Sequence, residues 1–167
     1  MRGRYSELLA EFANKNSLQF DNETNFNRFY GAYSGSRKGF KFEMFIFSSG
    51  GKVSVNILQI KLYIPDLPSQ IHVVYTNWLS GLCYQLFYNY QILNKFMLFS
   101  SKNLEEAKLY LNCDRSNVLL RYLVIIKGLE LVEDGLLFSA PLRKLKKFEY
   151  LNAVVDHMGN MAEELRG

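Results

Sequence analysis

Phe40, Phe42, Met44 and Ile46 alternate with Lys41, Glu43, Phe45 and Phe47, the period of two that marks a strand with one fully apolar face. Ser48, Ser49, Gly50 and Gly51 suit a chain reversal, and apolar positions resume at Val53, Val55 and Ile57, so the two runs predict a hairpin. The apolar set then moves by one place to Leu58, Ile60, Leu62 and Ile64. In an unbroken strand such a slip turns the following apolar side chains to water. The pattern therefore predicts a β-bulge or sharp bend near Ile57 and Leu58, and with it a long bent hairpin.

Around this hairpin, Tyr5, Leu8, Leu9, Phe12 and Ala13 share one stripe of an N-terminal amphipathic helix. Leu18 and Phe20 predict a short strand before a polar turn from Asp21 to Asn25. Phe29, Gly31 and Tyr33 predict another, with Ser34 to Gly39 as the following turn. Pro65 and Pro68 end the hairpin's second strand, because proline supplies no ladder donor. Ile71, Val73 and Tyr75 alternate as a strand. From Trp78 the spacing of Leu79, Leu82, Cys83, Leu86, Phe87 and Tyr90 fits a helix, although Tyr84, Leu86, Tyr88 and Tyr90 also alternate.

Phe96, Leu98 and Phe99 predict a strand. Asn103 then caps a helix with Glu105 and Glu106 in its first turn and Leu104, Ala107, Tyr110 and Leu111 inward. Asp114 reads as the cap of a helix from Arg115 to Ile125 that buries Leu119, Leu120 and Leu123 and closes at Gly128. Asp134 and Gly135 between Leu129–Glu133 and Leu136–Ser139 signal a second hairpin. The last helix begins near Pro141 and carries Phe148, Leu151, Val155, Met158, Ala162 and Leu165 in a narrow seam, with Gly159 inside it at a cost of about 1 kcal/mol relative to alanine. The elements predict a single α+β domain over residues 1–167: an antiparallel sheet, an N-terminal helix, central helices and a long C-terminal helix packed on the sheet.

Composition supports a folded chain, with 49% hydrophobic and 15% aromatic residues in 167. No window has the length of a membrane span and the N-terminus lacks a secretory apolar core, so a soluble, cytoplasmic chain is expected. The net charge of +4 permits weak attraction to anions or a membrane surface and falls short of a nucleic-acid footprint. Cys83 and Cys113 stand apart without metal-ligand spacing or an activating base, and read as small buried hydrophobes. Asn22, Glu23 and Thr24 form a glycosylation sequon, yet nothing else points to secretion.

No catalytic, cofactor or metal constellation emerges. His72 and His157 have no acidic partner at ligand spacing and read as structural or surface histidines. Ser34, Gly35 and Ser36 lack the context of a nucleophile elbow, and Gly50 and Gly51 lead into a strand rather than a phosphate-binding helix. Arg143, Lys144, Lys146 and Lys147 crowd the expected first turns of the last helix, where the dipole disfavours cations. They are candidates for contact with an anionic lipid, a nucleic acid or an acidic partner, against the plainer reading of a solvated basic face; Arg37, Lys38 and Lys41 are weighed the same way. Trp78, Tyr84, Phe87, Tyr88 and Tyr90 are candidates for a pocket or partner surface, against core packing.

The run Asn94, Lys95, Phe96, Met97, Leu98, Phe99 and Ser100, the helix positions Asn117, Leu119 and Leu120, and Glu133, Asp134, Gly135 and Leu136 resemble a family of uncharacterised bacterial and archaeal domains. Phe29, Tyr30, Gly31, Ala32 and Tyr33 resemble that family's first strand, and Asn94 stands where the family often has aspartate. The resemblance implies a domain of unknown function, often working beside a membrane through helices outside it, with no catalytic residues to transfer. The expectation is a non-enzymatic interaction domain, without a cofactor, that binds a protein partner or a second copy of itself through the last helix's seam or the aromatic group. One alternative is a small-ligand-binding protein or enzyme with a pocket between the bent sheet and the helices. Another is peripheral docking of the basic cluster at the inner face of an anionic membrane.

Overall fold

The computed structural model describes residues 2–21, 29–49, 55–68, 70–145 and 147–167. The predicted turn glycines Gly50 and Gly51, Val53, the Asn22–Thr24 sequon and Lys146 lie outside the described residues, as do the side chains of Tyr5, Leu8, Trp78, Leu79 and Phe148. The chain is α+β, with an antiparallel open sheet and a long C-terminal helix. It divides into two compact units, Met1–Tyr63 with Phe138–Asn160, and Ile64–Leu137 with Met161–Gly167.

The first unit holds helix α1 (Arg2–Lys15) and strands β1 (Gln19–Asp21), β2 (Phe29–Arg37), β3 (Phe40–Ser49) and β4 (Val55–Tyr63). It also contains the end of β9 (Gly135–Pro141), a 3₁₀ turn (Leu142–Lys144) and the first part of α5 (Phe148–Arg166), and its strand order is β1-β2-β3-β4-β9. The β3/β4 hairpin forms as expected, but its register runs without a break from Phe42 opposite Leu62 to Ser49 opposite Val55. There is no bulge at Ile57 and Leu58. Leu58, Ile60 and Leu62 are wholly buried, while Val55 and Ile57 sit half-buried on the opposite face. That face is apolar at this end as well, because Phe47 stands opposite Ile57. The shift in β4's pattern changes which side of the ribbon is apolar, and β3 matches it with Met44 and Ile46 on one face and Phe45 and Phe47 on the other.

β2 continues through the predicted turn, since Ser34, Gly35 and Ser36 pair with Glu43, Phe42 and Lys41, and only Lys38 and Gly39 reverse the chain. The register shift in this part of the sheet lies instead between Phe29 and Ala32. On the outer face, Tyr63 donates to Glu43 at 2.6 Å and Lys41 reaches the same carboxylate at 2.7 Å. Burial works against the charge, but the hydrogen bonds from Lys41 and Tyr63 hold the Glu43 carboxyl below its ordinary value.

The α5 seam is satisfied within the chain: Leu151, Val155, Met158, Ala162 and Leu165 are at most 1% exposed. Gly159 has a packing reason, because a Cβ there would come within 3.0 Å of Lys38 Cδ at the tip of the β2/β3 hairpin. Nearby, Arg37 Nε donates to Asp156 at 2.8 Å, and Asn16 Nδ2 donates to Asn152 Oδ1 at 3.0 Å. α5 does not begin near Pro141. Leu142 and Leu145, each 4% exposed, pull the intervening chain into the 3₁₀ turn and delay the helix to Phe148.

The second unit holds β5 (His72–Tyr75), α2 (Trp78–Tyr88), β6 (Gln91–Asn94), β7 (Met97–Ser100), α3 (Leu104–Tyr110), α4 (Cys113–Ile125), β8 (Leu129–Val132) and the start of β9, in the strand order β9-β8-β5-β7-β6. Asn103 caps α3 by accepting from Glu106 N at 3.3 Å, and Asp134–Gly135 joins β8 to β9, both as expected. The cap of α4 is Asn112, which accepts from Arg115 N at 2.9 Å, rather than Asp114. Asp114 lies in the first turn, where its charge suits the dipole.

Arg115 donates to Leu165 O at 3.1 Å and stacks over the Tyr110 ring, 4.6 Å from its centroid. The Tyr110 hydroxyl is buried and has no hydrogen-bond partner among the described residues. Tyr110→Phe is therefore expected to stabilise the protein by about 1 kcal/mol, since an unsatisfied buried hydroxyl costs roughly that much or more. Thermal denaturation checks this, and a lower melting temperature in the variant would mean that the hydroxyl is satisfied. No helix among the described residues is long and apolar enough to cross a membrane.

Candidate functional site

α2 is fixed at both ends. Asn77 accepts from Ser80 N at 2.9 Å, and Asn89, in the left-handed conformation at φ 56°, closes the helix through its N–H to Tyr84 O. Gly81 meets the sheet: it is buried, and a Cβ there would stand 3.4 Å from Thr76 Cγ2 and 3.7 Å from Leu98 Cδ1. With this small residue against the sheet, several large side chains of the helix stand outside. Leu86 and Phe87 are 76% and 75% exposed, Tyr88 67% and Leu82 46%. Cys83 is exposed among them. Core packing, the plainer reading of the aromatic group, does not hold for Phe87 and Tyr88, and the expected burial of the cysteines is overturned, since Cys113 is exposed too.

The physical reason lies in α2's composition, which includes no charged residue. A helix without a polar face has nothing to designate its outer side, so close packing at Gly81 decides it. Ile92 is exposed on the sheet beside the helix. Its place opposite Leu98 puts it on the sheet face that α2 covers, and it is 65% exposed.

Beneath the helix's C-terminal end lies a polar cluster. His72 Nε2 is 3.0 Å from Glu130 Oε2, and the Tyr90 hydroxyl is hydrogen-bonded to His72 Nδ1. A carboxylate can only accept, so Nε2 carries a proton, and in the neutral ring Nδ1 accepts from the phenol. Tyr84 packs on Tyr90 with ring centroids 5.0 Å apart, and Tyr88 follows at 6.0 Å from Tyr84. Burial pushes the Tyr90 phenol above its ordinary value, against a hydrogen bond with Ser100, and Tyr84 and Glu130 push it further. The Tyr84 phenol is raised by burial and then by Glu130 and Tyr88.

Carboxylate, imidazole and hydroxyl stand in the order of a proton relay. Here both imidazole nitrogens are engaged and the phenol holds its proton more tightly than usual, so the arrangement ties β5, β8 and the α2–β6 junction together. The sequence shows His72 without a partner because Glu130 is 58 positions away, and strand order alone brings β8 beside β5.

Tyr84, Tyr88 and Tyr90 are thus brought together, and Trp78 opens the same helix. The basic group is placed differently from expectation. Arg143 and Lys144 lie in the 3₁₀ turn and Lys147 precedes α5, all three exposed, so none occupies the helix's first turn. His157 is half-buried on α5. Among the described residues, no three His, Cys, Asp or Glu side chains converge as a metal site requires. Asn94 has a structural role, since its Oδ1 accepts from Phe96 N at 2.9 Å and Met97 N at 3.0 Å; an aspartate could accept both bonds equally. The chain matches no family model, no curated protein and no solved structure.

Proposed function

We propose that the chain is an interaction domain whose binding surface is the outward face of α2. The observation that carries this reading is the exposure of Leu82, Leu86 and Phe87 along the side of one capped helix that faces away from Gly81. Contiguous exposed apolar side chains mark interaction sites, and the centre of a protein interface is poor in charge and rich in aromatic residues. Leu67 to Asn94 contains no Asp, Glu, Lys or Arg. The clasp of Glu130, His72 and Tyr90 holds the helix end in place, so little ordering remains to be done on binding. The α5 seam, the other candidate surface, is buried in the chain. On this reading the protein acts in the cytoplasm, by binding, without catalysis or a cofactor.

Leu86→Lys combined with Phe87→Lys tests it. Both side chains face solvent, so stability should change by no more than about 0.5 kcal/mol. Proteins that co-purify with the wild type should fall at least about tenfold, a loss of roughly 1.4 kcal/mol in binding. An unchanged set of co-purifying proteins would sink the reading. A second reading draws on exposed Arg143, Lys144 and Lys147, which together with Lys146 would offer a cationic contact to an anionic membrane surface, weakened by salt.

A further inference from the structure

We infer that Tyr90 is a one-electron redox site, from which an oxidant at the surface draws an electron through Tyr84 and Tyr88 while His72 takes the phenol proton. This holds whether or not α2 binds a partner. One unbroken line of contacts carries it: Tyr88 to Tyr84 with ring centroids 6.0 Å apart, Tyr84 to Tyr90 at 5.0 Å, the Tyr90 hydroxyl to His72 Nδ1, and His72 Nε2 to Glu130 Oε2 at 3.0 Å. Tyr88, 67% exposed, is where the line meets solvent.

Each link has the chemistry that such a site requires. Losing an electron turns a phenol into a strong acid, so a tyrosine is oxidised readily where a base takes its proton in the same event. The Nδ1 lone pair of the neutral imidazole is that base. Glu130 then faces the imidazolium so formed across the Nε2 hydrogen bond and balances its charge. Burial opposes a resting phenolate at Tyr90, so the proton stays on the phenol until the electron leaves. Rings with centroids about 4.5–7 Å apart are in van der Waals contact, close enough for an electron to step from one to the next.

Two other phenols show what is particular to Tyr90. Tyr63 and Tyr122 donate to Glu43 and Glu164, and a carboxylate is a weaker base than an imidazole by about two pK units. Neither has the stack of rings that leads from Tyr90 to the exposed Tyr88. Among the described residues no base is hydrogen-bonded to the Tyr84 or Tyr88 hydroxyl, so a hole that enters at Tyr88 settles on Tyr90.

The step balances with a peroxyl radical as oxidant. The Tyr90 O–H bond breaks, its proton forms an N–H bond at His72 Nδ1, and its electron reduces the peroxyl radical to a peroxide anion, which takes a proton from water. A neutral phenoxyl radical is left beside an imidazolium. One electron from a thiol or ascorbate, with the return of the Nδ1 proton, restores the resting pair, so the site is a renewable sink for radicals.

Photo-generated ruthenium(III) tris(bipyridine), a one-electron oxidant, tests this on protein carrying Cys83→Ser and Cys113→Ser, in which no thiol competes. Freeze-trapped samples should show the electron paramagnetic resonance of a neutral tyrosyl radical, and Tyr90→Phe should remove the dominant signal. His72→Gln can still bond both neighbours but takes up no proton; it and Tyr84→Phe should each slow radical formation at least about tenfold with an unchanged circular dichroism spectrum. With His72 and Tyr84 intact, the reaction should run at least about twofold slower in heavy water, because a proton moves with the electron. A dominant radical that persists in Tyr90→Phe, an unchanged rate in His72→Gln or in Tyr84→Phe, or equal rates in light and heavy water would each overturn the inference.

Discussion

Truncating Ile60 to alanine is expected to cost about 2–5 kcal/mol, and truncating Ile57 on the same strand less than about half of that. Ile60 is wholly buried between β3 and β9 neighbours, whereas Ile57 is half-buried on the other face beside Phe47. Removing methyl groups from the first site leaves a cavity that the close-packed interior cannot close, while water and neighbouring side chains relax into the second. Urea denaturation reads the difference as a shift in midpoint at constant slope. With an extra residue between the two positions, Ile57 would face the core as Ile60 does, and the two truncations would cost the same. Equal costs would therefore refute the continuous register of the hairpin.

The same pair shows why the sequence misleads at this point. An apolar set that shifts by one place is consistent with a bulge that keeps one face or with a straight strand that changes faces, and the difference lies in the partner strand. β3 is apolar on both sides from Met44 to Phe47, so it can serve either arrangement. Where local chemistry allowed one solution, the pattern was sufficient: Asn103 has a free first turn to cap, Asp134–Gly135 reverses the chain between apolar runs, and the α5 seam repeats over several turns. Where two residues competed, proximity decided. Asn112 and Asp114 are both good caps, and the earlier one took the position.

The candidate site was half legible. Tyr84, Tyr88 and Tyr90 stood out as a group, but the outward turn of α2 did not, because an uncharged helix gives periodicity no sign of which side is wet. Glu130 gave no local signal at all, since its meeting with His72 depends on β8 lying next to β5. What joins these parts is the helix end: Asn89 turns the chain, Tyr90 reaches His72, and the exposed residues before them are held to a fixed frame. A surface used for binding benefits from such anchoring, because side chains already ordered lose less freedom on association.

Above pH of about 10 the protein is expected to lose stability steeply. The phenols of Tyr84, Tyr90, Tyr110 and Tyr122 are all raised above their ordinary value, each chiefly by burial, and Tyr122 also by its hydrogen bond to Glu164. The folded chain therefore holds these protons more tightly than the unfolded chain does. Below the unfolded phenol value their contribution is complete; as pH rises past it toward the raised native values, unfolding releases protons. Stability then falls by up to about 1.4 kcal/mol per pH unit for each phenol involved. Tyr84 and Tyr90, which touch water, contribute less than Tyr110, whose hydroxyl is buried. All four lie in the second unit, so the loss should appear there first. Urea midpoints measured across the alkaline range, with tyrosinate absorbance followed in parallel, read the effect, and Tyr84→Phe with Tyr110→Phe should make the decline shallower by removing two of the titrating groups. A midpoint that stays level to pH of about 11, or a decline equally steep in the double phenylalanine variant, would show that these phenols sit no less comfortably as anions in the fold than in water.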